Sequence, residues 1–106
     1  MDTERKRAQL IALCIVLVAI SLPLILRVVP PNGLYGFRTA ATQSSRAIWY
    51  PANAFMGWAL SIAAVISAVL LVKLPATVTR WRVWASFLVP LAAALAASVA
   101  YVNRLV

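Results

Sequence analysis

The chain has 106 residues, 64% of them hydrophobic and 11% charged, with a formal net charge of +8. Soluble globular chains are nearer half apolar and about a quarter charged, so an ordinary soluble domain is excluded. With no His, one Cys, and Asp2 and Glu4 as the only acids, the chain lacks a carboxylate pair for acid–base work, an imidazole shuttle, an internal disulfide and a thiolate metal cage. An enzyme is not expected, and no cofactor or metal is called for.

Three stretches are long and free of charge: Ala8 to Leu26, Ala52 to Val72 and Val83 to Asn103. Each runs about 19–21 residues, close to 30 Å as a helix, which matches a bilayer core. The sequence therefore predicts an all-α membrane protein. Its three transmembrane helices lie at about 8–28, 45–72 and 82–103, in one domain spanning 1–106. A structured first loop over 29–44 and a short interfacial helix complete it.

The first helix starts from Arg5, Lys6 and Arg7. Its apolar run is longer than the 7–15 residues or so of a signal peptide, and no Ala-x-Ala-like site follows, so it reads as a retained anchor. Cys14 sits mid-helix as a small apolar residue. Pro23 lies near the far end, and Pro30-Pro31 stops further helix.

The first loop, Pro31-Asn32-Gly33-Leu34-Tyr35-Gly36-Phe37-Arg38-Thr39, is too specialised for a spacer. Asn32-Gly33 is a turn signal, since both residues tolerate positive φ. Gly36 offers a second bend or close approach. Tyr35 and Phe37 bracket it with aromatic surface. Arg38 carries a guanidinium fork suited to phosphates and carboxylates. Thr39 and Thr42 add hydroxyls that hold the loop or touch a ligand. Tyr35, Phe37, Trp49 and Tyr50 are candidates for an aromatic floor, on which Arg38 is able to stack.

The second helix is predicted to be capped by Ser44 or Ser45. Arg46 to Tyr50 then form an interfacial turn, with Trp49 at headgroup depth. Pro51 falls within the first turns. Asn53, about one turn past Trp49, is expected to bond the backbone between Asn32 and Thr39. Gly57 is expected to let the loop sit close. Gly57, Ser61, Ala64 and Ala68 form a small-residue stripe for close helix packing, in the bundle or between copies.

Lys73 to Arg82 is a short basic connection with Trp81 and Trp84 at an interface. In the third helix Ala92 and Ala96, continued by Ala100, form another close-packing stripe. Pro90 is expected to kink it.

The residues Asn32-Gly33, Gly36-Phe37-Arg38-Thr39, Thr42 to Ser45, Trp49, Asn53 and Gly57 resemble the SdpI-like family of small bacterial integral membrane proteins. That family is named for the immunity and signalling protein of a peptide-toxin system. The chain reads as a short form carrying the shared three-helix segment. The resemblance implies a site built on Asn32, Tyr35, Gly36, Phe37, Arg38, Thr39, Thr42, Trp49 and Asn53. It implies a peptide toxin, or a membrane or regulatory protein, as partner.

The ten basic residues fall on both sides of three spans, so nucleic acid is not expected. Anionic lipid headgroups are. The N-terminus and second loop carry six, the first loop and C-terminus four. This small bias favours an N-terminus on the cytoplasmic side, and the resemblance implies a bacterial cytoplasmic membrane. A homo-oligomer is open, because three helices make a thin bundle. Three functions are open too: a binding and signalling module working through the loop, a structural or lipid-binding subunit, and a small oligomeric channel with a path lined by Ser61, Ser67 or Ser98. No ionisable residue lies mid-membrane to favour the channel.

Overall fold

A computed structural model describes residues 2–75 and 77–105. It contains three helices: α1 over Asp2–Ile25, α2 over Arg46–Lys73 and α3 over Arg80–Leu105. All three are long and apolar enough to cross a membrane. No strand occurs among the described residues.

The helices extend beyond the charge-free stretches at most ends. Hydropathy marks the part of a helix suited to lipid, whereas backbone hydrogen bonding continues into the headgroup zone. The exception is the end of α1, which stops at Ile25 rather than near residue 28. There Arg27 adopts φ +60. The Val28 amide donates to Pro23 O at 3.2 Å and the Arg27 amide donates to Leu24 O at 3.2 Å. This pair of bonds is a Schellman closure, with arginine in the left-handed position usually taken by glycine. The interfacial turn over Arg46–Tyr50 is continuous with α2 and forms no separate helix.

Helix α2 lies between α1 and α3, whose backbones barely meet each other. The three rods form an elongated bundle, 49 × 22 × 19 Å. Helix α1 turns Leu10, Cys14, Ser21 and Leu24 inward, the three- and four-residue spacing of one helical face. Helix α3 buries Val83, Phe87, Ala94, Ser98 and Val102. That line excludes the expected stripe: Ala92, Ala96 and Ala100 are exposed. They lie about half a turn away from the bulkier residues that fill the interface. On α2, Gly57 and Ala64 are buried, while Ser61 and Ala68 are half-buried.

One core cluster gathers Leu10, Cys14, Ala64, Leu71, Val78, Val83 and Phe87. Ser67 Oγ donates to Phe87 O at 3.0 Å, tying α2 to α3. Ser98 Oγ bonds Ala94 O at 2.8 Å. These two buried hydroxyls are satisfied by backbone within the bundle, as an apolar surround demands.

Arg7 links the N-terminal end of α1 to the second loop. Its guanidinium donates to Leu74 O at 2.7 Å and to Pro75 O at 2.8 Å, and pairs with Glu4 at 3.0 Å. A cation at the carbonyls just past the end of α2 also complements the helix dipole. The first loop and the end of α3 gather at the opposite end, where Phe37, Ala52 and Val102 form a second cluster.

Candidate functional site

The first loop is built by side chains that bond backbone. Asn32 Oδ1 accepts from the Leu34 amide at 2.8 Å and the Tyr35 amide at 2.7 Å. Its Nδ2 donates to Pro30 O at 2.8 Å and Tyr35 O at 3.0 Å. The turn is thus an Asx turn. Neither Asn32 nor Gly33 has positive φ, contrary to the expectation from the dipeptide, because the amide side chain supplies the closure.

Gly36 is the residue that uses glycine's freedom, at φ +111. An added Cβ there would lie 2.6 Å from Asn53 Oδ1 and 3.3 Å from the Trp49 ring. The close approach delivers Phe37 to α2. The Phe37 amide donates to Asn53 Oδ1 at 2.6 Å. Asn53 Nδ2 donates to Phe37 O at 3.3 Å and to Trp49 O at 3.1 Å. Asn53 is 2% exposed, so this amide replaces water for both polar groups of Phe37.

Trp49 is fully buried and its Nε1 donates to Val29 O at 2.7 Å. It does not sit as an exposed headgroup anchor. It wedges between the loop and α2. Gly57 also departs from expectation. Its missing Cβ makes room for α1, with Ile25 Cγ1 at 2.8 Å and Ser21 O at 3.0 Å from the ideal position. Gly36, not Gly57, carries the close approach of the loop.

The second half of the loop is closed by two threonines. The Thr39 amide donates to Thr42 Oγ1 at 2.7 Å, and the Thr42 amide donates to Thr39 Oγ1 at 3.1 Å. Thr42 is buried. Ser45 then caps α2, accepting from the Ile48 amide at 3.3 Å. Gln43 Nε2 donates to Asn32 O at 2.7 Å and joins the two halves. Gln43 is not among the expected site residues, and its position inside the Thr42 to Ser45 stretch is the available signal. Tyr35 Oη donates to Ile20 O, which fastens the loop to α1.

Arg38 differs from its neighbours. It is exposed, and one guanidinium nitrogen donates to Gly33 O. No side-chain carboxylate of this loop is available to the rest of its fork, since the chain has no acidic side chain after Glu4. Among the described residues it is not seen stacked on a ring; the cation–π pairs are Lys6 with Trp84 and Arg82 with Trp81. The expected aromatic floor is therefore a wedge, with Phe37 and Trp49 buried beneath the loop. Beside it, Phe37, Thr39, Ala41, Val99, Val102 and Asn103 line a groove of about 290 Å³ between the loop and α3.

The arrangement defines a membrane-type three-helix protein with an ordered loop locked onto one end. Residues 28–102 match the model of the SdpI/YfhL protein family, and the chain belongs to that family. The matched stretch takes in the loop, α2 and most of α3, while α1 precedes it. No curated protein and no solved structure is significantly similar to the chain.

Proposed function

We propose that this protein is a non-enzymatic binding module of the bacterial cytoplasmic membrane. Its first loop presents Arg38 to an anionic group on a peptide or partner protein. Family membership supports a part in peptide-toxin immunity or in signalling its presence. The charge bias supports a cytoplasmic N-terminus, which turns the loop outward.

One observation carries this reading. Asn32, Thr39, Thr42, Trp49 and Asn53 are spent on holding the loop, whereas Arg38 is exposed on that fixed platform with a fork only partly used. A preorganised guanidinium binds carboxylates with little ordering cost. The binding residue is then Arg38, and its neighbours in the loop and on α2 are its scaffold.

The test is protection of cells against a membrane-active peptide toxin by wild type, Arg38→Ala and Arg38→Lys at equal membrane abundance. Loss in Arg38→Ala with partial recovery in Arg38→Lys supports the reading. Full protection by Arg38→Ala overturns it.

A further inference from the structure

The exposed alanine face of α3 borders a seam that the motif loop does not use. At its interfacial end, Phe55, Ala97, Ala100, Tyr101 and Arg104 line a groove of about 230 Å³. Phe55 and Tyr101 are stacked there, with ring centroids 4.4 Å apart and planes within 6°. Deeper along the same two helices, Ala59, Ile62 and Ile66 of α2 face Pro90 and Ala93 of α3 across a second groove of about 400 Å³. Phe55 to Ala59 and Ala97 to Ala93 are each one helical step of four, so the register puts the two grooves in line. Arg104 to Pro90 spans about 20 Å along the axis, longer than the roughly 15 Å hydrocarbon half of a bilayer.

We propose that this α2–α3 seam holds one anionic phospholipid, with its phosphate on Arg104 and one acyl chain lying over the alanines towards Pro90. Charge selects this occupant. The basic side chains at this end are Arg27, Arg38, Arg46 and Arg104, and the sequence has no acidic side chain after Glu4. A second copy related by a two-fold axis along this seam would bring another Arg104 and no acidic side chain to meet it. A phosphate matches the guanidinium fork. The chain-binding part is apolar and follows bilayer depth, and the Tyr101 ring sits where an amphipathic side chain suits the interface.

Native mass spectrometry of the detergent-solubilised protein tests this, with phosphatidylglycerol and phosphatidylcholine of equal chain length as probes. Wild type is expected to retain one phosphatidylglycerol per chain, about tenfold more tightly than phosphatidylcholine. Arg104→Gln removes the preference. Ala97→Phe, which fills the groove, weakens both lipids by about tenfold, and Ala93→Leu repeats that arm if Ala97→Phe loses helical content by circular dichroism. Arg38→Ala keeps the lipid, which separates this site from the loop function. Equal retention of the two lipids, loss on Arg38→Ala instead of Arg104→Gln, or a lipid-free dimer dissociated by Ala97→Phe each overturn the proposal.

Discussion

Asn53 of α2 holds both backbone polar groups of Phe37: its Oδ1 accepts from the Phe37 amide and its Nδ2 donates to the Phe37 carbonyl. One side chain thereby docks an irregular segment onto a helix in a buried position. The cost of burying unpaired backbone makes this contact strongly directional.

Asn53→Ala leaves the Phe37 amide and carbonyl without partners. Stability is expected to fall by about 2–3 kcal/mol, read as an earlier midpoint in detergent unfolding. Asn53→Asp keeps the acceptor and removes the amide donor, so the Phe37 and Trp49 carbonyls both lose its bonds, and a carboxylate at this buried position adds a desolvation cost. A shift no larger than that of a surface substitution would show that the loop is held elsewhere.

The two loop glycines separate cleanly. Gly36→Ala combines left-handed backbone with a Cβ 2.6 Å from Asn53 Oδ1, and is expected to cost about 2 kcal/mol or more. Gly33→Ala meets open space and has no positive φ, so its effect stays within about 0.5 kcal/mol. The same unfolding measurement on both variants decides the matter, and equal losses would contradict the geometry.

Arg38→Ala is expected to leave the unfolding midpoint within about 0.5 kcal/mol of wild type, as exposed substitutions usually do, because the loop has many other internal bonds. Under the proposed function, its effect is expected in toxin protection or partner capture. A large loss of stability in Arg38→Ala would make its bond to Gly33 O a structural brace.

Gly57→Ala acts at a different contact. Its Cβ would press on Ile25 and on the Ser21 carbonyl of α1. Overpacking of this kind costs about 1–3 kcal/mol. Cysteine cross-linking between α1 and α2 is expected to slow, while accessibility of the loop end near Val102 stays as in wild type.

Three helices and a specialised loop were readable because lipid imposes a simple length rule and because Asn, Gly, Arg and Thr have few reasons to cluster between two spans. The bond from Asn53 to the loop backbone was readable too, from a polar amide one turn inside a span. Other assignments were not. Gly57 faces α1 rather than the loop, because a stripe of small residues does not say which neighbour fills it. Ala92 and Ala96 look outward, because Val83, Phe87 and Val102 offer α2 more to pack against. Asn32-Gly33 forms its turn without positive φ, a choice made by side-chain hydrogen bonds. The left-handed Arg27 carried no signal in a sequence where Gly or Asn would have been the clue.

Backbone contact between α1 and α3 is slight beside what each makes with α2, and their side chains meet in the cluster that holds Leu10, Cys14, Val83 and Phe87. At the other end the first loop joins all three helices: Tyr35 reaches Ile20 of α1, Asn53 of α2 grips Phe37, and Phe37 packs with Val102 of α3. It is a tie-bar. Under the proposed function, a group gripped by Arg38 would therefore bear on a segment fastened to all three helices at once.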